Sequence, residues 1–219
     1  MYKRQSLVGV PLNVEGKYRW IVFLPSKILP EVPVLNRYYG VFEDGKIKMR
    51  GIEARRGDTP PFIEKAQVEM IKVLAKASDF EGFLNRVPEA LNVLKEYASK
   101  LISGQISVTD LLISKRLSKH PSDYMHDVFQ AIAAHQLLTA GFDVYPGQTV
   151  QYLIIDAENR SPNKRVKAAQ LLNTKQKYDI PKYLEMLLEA GEMLLGIFGY
   201  GIDRIRSEGL YGEKQLILD

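Results

Sequence analysis

Apolar residues in the first sixty positions alternate with polar ones or form short runs, a pattern typical of β-strands. Three strands are predicted at Tyr18–Leu24, Arg37–Phe42 and Lys46–Arg55, and a proline-rich loop joins the first two. Asp44-Gly45 separates the second strand from the third and is a strong hairpin signal, because glycine accepts the positive φ of a tight turn. The amino-terminal part is therefore predicted to form a small antiparallel sheet.

From residue 59 onward the apolar residues recur at intervals of three and four, which is typical of helices. The first helix is predicted to have Asp58 or Thr59 as its N-cap and a proline in its first turn, and a second helix covers roughly Val87–Ile102. The residues predicted to face inward on these helices are Ile63, Ala66, Met70, Val73, Leu74, Ala77, Ala90, Leu91, Leu94, Tyr97, Ala98 and Leu101.

A third helix is predicted at Tyr124–Ala140, ended by Gly141, and an apolar strand follows at Thr149–Ile155. Asp179 is predicted to cap the last long helix. The residues expected to be buried on this helix are Leu184, Leu187, Leu188, Met193, Leu194, Ile197 and Phe198. The order of these elements predicts an α+β fold, in which a small antiparallel sheet precedes a mainly helical part.

Composition narrows the class of protein. A chain of 219 residues, 46% of them hydrophobic and 26% charged, is long enough to bury a core. The absence of cysteine excludes disulfides and thiolate metal sites and fits an intracellular compartment. Without a leader pattern or a long apolar run, we expect a cytoplasmic location and no membrane partner. The net charge of +4 is only mildly basic, so local clusters of cations carry more information than the total.

The third predicted strand carries cations on one face. Side chains alternate along a strand, so Lys46, Lys48 and Arg50 project together while Ile47 and Met49 point towards a core. Three arginines extend the cationic row, and two tyrosines lie beside it. These five residues are Arg37, Arg55, Arg56, Tyr38 and Tyr39. Cations beside aromatic rings suit contacts with nucleic acid, whereas a lone basic strand is more often a solvated face. The spacing alone does not decide between the two interpretations.

The hairpin and its flanks resemble the segment of family B DNA polymerases, especially archaeal ones, that follows the second catalytic-aspartate motif. In that family a Lys-Lys-x-Tyr element on the palm domain holds the primer–template duplex near the primer terminus. By this resemblance, Arg37 and Tyr39 stand at its second basic position and at its tyrosine. Asn36 stands where a lysine is usual, which removes one of the implied phosphate contacts.

The resemblance continues on both sides of the hairpin. Residues 50–53, Arg-Gly-Ile-Glu, resemble a second duplex-holding element of the palm, and the arginine pair at 55–56 resembles the entry to the thumb domain. Other segments resemble the upstream palm and successive parts of the thumb, and these are 9–25, 120–124, 144–155 and 177–200.

The resemblance implies two domains, the edge of a palm at 1–58 and a mainly helical thumb at 59–219. It also implies that basic thumb loops contact the DNA backbone, although plain solvation explains each of these cations equally well. The residues predicted to bind DNA are Asn36, Arg37, Tyr39, Lys46, Lys48, Arg50, Gly51, Arg55, Arg56, Lys115, Arg116 and Lys119.

The catalytic carboxylates of the family have no counterpart in this sequence. Family B polymerases hold two catalytic metal ions with palm aspartates, one motif containing Asp-x-Asp, and phosphoryl transfer needs both ions. The sequence contains no Asp-x-Asp pair. The resemblance therefore implies no catalytic residue, no metal site and no bound cofactor on this chain. Mg²⁺ is expected on a partner polypeptide, and the isolated chain is predicted to be inactive.

The first predicted strand, Tyr18–Leu24, carries apolar or aromatic residues on both faces, which implies burial from both sides. We expect the second face to be covered by a large polymerase subunit that carries the catalytic palm, the fingers and the exonuclease. Two alternatives stay open, because the helical part could fold back over the sheet or the protein could associate with itself.

The hypothesis is a DNA-binding small subunit of a split family B DNA polymerase. Two alternatives are a polymerase-derived DNA-binding protein without a catalytic role and an excised fragment of a full-length polymerase. Gln215 and Leu218 fit part of the sliding-clamp motif found at the end of many archaeal relatives, but no aromatic residue follows them. Aromatic anchors supply much of the energy of such small interfaces, so we expect clamp binding to be weak or absent.

Overall fold

The computed structural model opens with three antiparallel strands, β1 (Tyr18–Pro25), β2 (Pro33–Phe42) and β3 (Ile47–Arg50), in the order β1-β2-β3. The turn between β2 and β3 is the predicted one: Gly45 has a φ of 85°, and the Asp44 carboxylate accepts a hydrogen bond of 2.9 Å from the Lys46 backbone N–H. The structure describes residues 14–26, 32–173 and 176–209.

Strand β3 ends at Arg50, well before the predicted end at Arg55. Gly51 has a φ of 66°, and residues Glu53–Arg55 form a 3-10 turn instead of a strand. A Cβ atom at Gly51 would lie 2.5 Å from the carbonyl oxygen of Asn36, so only glycine allows β2 to approach this closely. The chain therefore leaves the sheet at the glycine and turns towards the helices.

Two helices pack against the sheet, α1 (Pro61–Leu74) and α2 (Phe80–Ile102). The predicted cap of α1 was wrong, because Pro60 occupies the N-cap position and no side chain caps the helix. Helix α2 begins at Phe80 rather than Val87, since the Asp79 carboxylate accepts a hydrogen bond of 2.7 Å from the Gly82 backbone N–H. All the predicted inward positions are buried except Val73, which is half-buried against the core.

A second antiparallel sheet was largely missed by the sequence analysis. It consists of β4 (Ile113–Arg116), β5 (Thr149–Ile154) and β6 (Val166–Ala168), in the order β4-β5-β6, and only β5 was predicted. Between β4 and β5, α3 covers Phe129–Thr139, so the prediction of a helix from Tyr124 was wrong at its start. The Tyr124 hydroxyl accepts a hydrogen bond of 3.1 Å from the Ser118 backbone N–H, which fixes this segment as a loop.

The chain continues with α4 (Ile180–Leu195) and α5 (Ile202–Gly209). The predicted cap of α4 is confirmed: the Asp179 carboxylate accepts hydrogen bonds from the backbone N–H groups of Lys182 (2.8 Å) and Ala157 (2.6 Å). Four predicted interior leucines are buried, Met193 and Phe198 are half-buried, and Ile197 is 43% exposed. The prediction for Ile197 was wrong because Gly196–Phe198 form a 3-10 turn with a different angular spacing.

One continuous apolar core joins the first sheet, the helices and the second sheet. Gln67 of α1 is fully buried within it and connects three elements. Its side-chain oxygen accepts from the Ala54 N–H (2.7 Å), while its side-chain nitrogen donates to the Ala190 carbonyl (3.0 Å) and to the Glu53 carboxylate (3.0 Å). The α+β fold class is confirmed, and the division at residue 58 stays a prediction.

The first strand is predicted to be buried on both faces, and in the structure the core covers one of them. Trp20, Val22 and Leu24 pack into the core, and the Trp20 indole N–H donates to the Ala77 carbonyl at 3.2 Å. On the other side, Phe23 is 38% exposed among the described residues.

The palm-like residues before position 14 and the clamp-like pair Gln215 and Leu218 lie outside the described residues. In the part of the chain that is described, no helix is both long and apolar enough to cross a bilayer.

Candidate nucleic-acid interface

The register of the first sheet divides its residues between two faces. The rows Trp20–Val41–Ile47 and Val22–Tyr39–Met49 lie on the core face. The rows Ile21–Gly40–Lys48 and Phe23–Tyr38–Arg50 lie on the opposite face. We call this second face the open face and define it by Ile21, Phe23, Tyr38, Lys48 and Arg50. It is aromatic and aliphatic on β1 and β2 and cationic on β3.

The aromatic part of the open face is an ordered cluster. The Tyr38 ring lies 5.8 Å from the Phe23 ring and 6.5 Å, edge to face, from the Tyr18 ring. The Tyr18 ring in turn stacks on Phe42 at 4.3 Å. Partial burial and a hydrogen bond with Tyr38 raise the pKa of Tyr18 to about 12, so the Tyr18 hydroxyl stays protonated at neutral pH. These contacts hold Tyr38 beside its cross-strand neighbour Arg50.

Tyr39 does not belong to this surface, although it was predicted to bind DNA. Its side chain is fully buried, its hydroxyl donates a hydrogen bond of 2.8 Å to the Leu194 carbonyl, and its ring meets Trp20 edge to face at 6.1 Å. Burial raises the pKa of Tyr39 far above its ordinary value. The alternation that turns Tyr38 to the open face turns Tyr39 towards α4, so the Tyr39 ring has no exposed surface through which the predicted contact with DNA could be made.

Arg37 is occupied by internal contacts. Its guanidinium donates to the Pro25 carbonyl at 2.8 Å, to the Gly51 carbonyl at 3.4 Å and to the Met193 sulfur at 3.4 Å. These bonds tie the end of β1, the end of β3 and helix α4 together. Arg37 therefore braces the hairpin, and the half-buried side chain offers less of its charge to a ligand than the resemblance implied. Asn36 beside it is exposed.

Three of the predicted cations line one cleft beside β3, which is an edge strand among the described residues. The cleft has a volume of about 460 Å³, and Lys46, Lys48 and Arg55 contribute to its wall together with Glu15 and Glu64. Lys48 forms an ion pair with Glu15, which lowers the pKa of that carboxyl group. Lys46 and Arg55 are exposed. The structure thus gathers cations from the hairpin and from the following 3-10 turn.

Arg56 and Lys115 are brought together by Asp58, although they are far apart in sequence. The Asp58 carboxylate accepts from Arg56 Nε at 2.9 Å and from Arg56 Nη2 at 3.0 Å, and it also pairs with Lys115 on β4. These charge-assisted bonds hold the pKa of Asp58 well below its ordinary value. The cluster joins the end of the hairpin region to the second sheet.

The remaining predicted cations lie at the end of β4 and just beyond it. Arg116 is exposed and donates a hydrogen bond of 3.0 Å to the Gly147 carbonyl. The Lys119 ammonium lies 5.1 Å from the centre of the Tyr124 ring, a cation–π contact on an exposed loop. Both side chains are oriented by neighbours and keep most of their donors free for a ligand.

Two features of the described residues were not singled out from the sequence as parts of a site. Asp58 was considered as a helix cap and as part of the segment that resembles the polymerase family but not as a partner of cations, and its separation from Lys115 by 57 positions gives no local signal. A cleft of about 740 Å³ is lined by residues that include His126, His135 and Lys167 and by none of the predicted DNA contacts. Among the described residues, no three His, Asp or Glu side chains are grouped so that they could hold a metal ion.

A family model described as DNA polymerase family B matches residues 35–196. This match covers well over half of the 219 residues, so the chain belongs to DNA polymerase family B. The predicted family is confirmed.

Relatives of known identity are archaeal proteins named DNA polymerase. The chain is 27% identical over 207 residues to the DNA polymerase of Thermococcus kodakarensis and 29% identical over 216 residues to DNA polymerase 1 of Sulfolobus acidocaldarius. Each match covers 94% of this chain but only 11% and 23% of the respective relative. The chain thus spans at most about a quarter of the length of these relatives.

The fold has a counterpart among solved structures. The family B DNA polymerase of Pyrobaculum calidifontis matches with a TM-score of 0.66 and 20% sequence identity, over 91% of this chain and 24% of that chain. At this level of identity the likeness concerns the fold alone. The arrangement of two small antiparallel sheets and five helices in the described residues is therefore one that a family B polymerase contains.

Proposed function

We propose that this chain is the DNA-binding small subunit of a family B DNA polymerase whose catalytic aspartates lie on another polypeptide. The observation that carries the proposal is the open face, where the exposed Phe23, the half-buried Tyr38 and the exposed Arg50 share one cross-strand row. Membership of the polymerase family supports a DNA ligand. The sequence contains no Asp-x-Asp pair, which is why the proposal assigns the catalytic aspartates to another polypeptide.

The cations of the open face and of the cleft beside it are proposed to bind the backbone of the primer–template duplex. Lys46, Lys48, Arg50 and Arg55 supply charge along β3 and the adjoining cleft, and Arg56, Lys115, Arg116 and Lys119 extend it to the second sheet. Contacts of this type are insensitive to base sequence and weaken steeply with salt. Tyr38, rather than the buried Tyr39, is the tyrosine proposed to contact a sugar.

The aromatic part of the open face is proposed to dock the large subunit. Ile21 and Phe23 lie on β1, which is an edge strand among the described residues. An apolar sheet face at an edge strand suits burial under a further layer of protein. The proposed occupant is the catalytic palm of the large subunit, which would carry the fingers, the exonuclease and the Mg²⁺ ions as well. A cytoplasmic location stays part of the proposal.

Co-elution tests the docking step with a matched pair of variants. The wild-type chain is mixed with a large polypeptide that contains the Asp-x-Asp motif, and the mixture is separated by gel filtration. We expect a complex with the wild type and its loss with Phe23→Ser on the open face. Phe142→Ser is the control, because Phe142 is 46% exposed and lies outside the open face. Equal co-elution of the two variants would contradict the proposed docking surface.

Binding of the chain alone to a primer–template duplex distinguishes the remaining alternatives. A chain that binds duplex but neither associates with a large polypeptide nor increases its primer extension would be a DNA-binding protein without a catalytic role. A chain that associates but binds no duplex would be a structural subunit. The proposed function requires both activities.

A further inference from the structure

We infer that Asp58 is a positioning residue for DNA binding, which holds Arg56 and Lys115 side by side as one composite site for a backbone phosphate. The inference rests on the proposed function and adds an acidic residue to a surface that otherwise recognises DNA by cations.

The three side chains differ in exposure in a way that favours this role. The Asp58 side chain is 21% exposed, whereas those of Arg56 and Lys115 are 54% and 39% exposed. The carboxylate is thus the sheltered member, and the two cations form the outer part of the cluster. A ligand approaching from solvent meets positive charge first, and the net charge of the cluster is still positive.

The hydrogen-bond donors are only partly used. A guanidinium group has five N–H donors and an ammonium group has three. Asp58 accepts from Nε and Nη2 of Arg56 and from the ammonium group of Lys115, so most of the donors are left for other acceptors. A phosphate has several acceptor oxygens and can bind both cations at once.

The arrangement also reduces the conformational cost of binding. Free arginine and lysine side chains lose much rotamer freedom when they are fixed against a ligand. Here the bidentate contact already fixes the guanidinium plane, and the pair with Lys115 connects the segment before α1 to β4. Two cations from distant parts of the chain are therefore held together before DNA arrives.

If Asp58 only neutralised the two cations, replacing it would change the affinity for DNA in the opposite direction. An acidic residue that merely neutralises two cations opposes a polyanion, and its removal should tighten DNA binding. A positioning residue should weaken binding when its charge is removed, although the surface then becomes more positive. The direction of the change therefore separates the two roles.

The test measures binding of the full chain to a fluorescent primer–template duplex across a series of salt concentrations. We expect Asp58→Asn to weaken binding about fivefold at moderate salt and to reduce the slope of log K against log salt by about 1. Asp58→Glu should recover most of the affinity. The matched control is Glu64→Gln, because Glu64 is exposed in the cleft with Lys46 and Lys48 but forms no salt bridge within the described residues.

A second measurement covers the case in which Asp58→Asn fails to fold. Arg56→Gln and Lys115→Gln are then compared singly and together, and the loss of affinity caused by each should shrink when the other cation has already been removed, because both are inferred to bind one phosphate. The inference is overturned if Asp58→Asn binds the duplex as tightly as the wild type or more tightly, as expected for Glu64→Gln, or if the paired effects simply add. If the wild-type chain binds no duplex, the proposed function fails as well.

Discussion

Tyr38 and Tyr39 are adjacent and chemically identical, yet they lie in opposite environments. Tyr39 is fully buried between Trp20 and the Leu194 carbonyl, whereas Tyr38 lies half-buried in the open face beside Arg50. The same contrast holds for the two faces of the sheet, one apolar and packed on helices, the other aromatic and cationic. The first face maintains the fold, and the second is the surface that we propose to bind DNA and the large subunit.

The largest expected difference between the faces is in stability. Tyr39→Ala should lower the free energy of unfolding by about 3–5 kcal/mol, because it removes a fully buried ring and its hydrogen bond. Tyr38→Ala should cost about 1 kcal/mol, the value of a partly exposed aromatic pair. Urea denaturation of both variants measures the difference. Equal losses would mean that the open face is packed as tightly as the core face.

The sequence predicted the faces of the hairpin more securely than the role of each residue. Alternation placed Ile47 and Met49 inward and Lys48 and Arg50 outward, as the register shows. The same alternation also placed Tyr39 opposite Met49 on the core face, so the signal for its burial was present. The resemblance to a DNA-binding tyrosine outweighed that signal.

The second sheet could not be predicted in the same way. Strands β4 and β6 have four and three residues, too few for an alternating pattern to stand out. Their pairing with β5 joins segments that are distant in sequence, and so does the ion pair between Asp58 and Lys115. Such contacts depend on tertiary packing and have no local signature.

The next largest effect is expected at the glycine that ends β3. Gly51→Ala should destabilise the chain by about 1–3 kcal/mol, since a Cβ atom would lie 2.5 Å from the Asn36 carbonyl oxygen at a φ of 66°. Gly57→Ala is the control, because a Cβ atom there meets no heavy atom within 4 Å. Thermal unfolding of the two variants distinguishes local strain from a general effect of removing glycine. An unchanged melting temperature for Gly51→Ala would contradict this account of the strand end.

The two arginines of the hairpin should separate DNA binding from folding. Arg50→Ala should reduce the salt slope of duplex binding by about 1 and leave the unfolding midpoint unchanged, because Arg50 is exposed. Arg37→Ala should instead lower stability by about 1–2 kcal/mol, because it removes bonds to the Pro25 and Gly51 carbonyls. Salt titrations and denaturation curves of both variants are needed. If Arg37→Ala changed the salt slope and Arg50→Ala did not, Arg37 would belong to the DNA-binding surface and Arg50 would be a solvated side chain.

The smallest effect on stability is expected at Asp58, and it should disappear when the pH is lowered. The pKa of Asp58 is depressed by Arg56 and Lys115, so its contribution to stability is present above the ordinary pKa of 3.8 and is lost as pH falls through the lower folded-state value. The stability difference between the wild type and Asp58→Asn should therefore be about 1 kcal/mol or less at pH 7 and vanish in strong acid. Denaturation at a series of pH values measures it. A difference that grows below pH 4 would contradict the assigned ion pairs.

The most direct measurement of the central claim is primer extension by the reconstituted enzyme. We expect no synthesis by this chain alone, and synthesis in a mixture with a large polypeptide that contains the Asp-x-Asp motif. Phe23→Ser and Arg50→Ala should each reduce the activity of the mixture, the first by weakening association and the second by weakening DNA binding. Synthesis by the chain alone, or a mixture no more active than the large polypeptide by itself, would contradict the account.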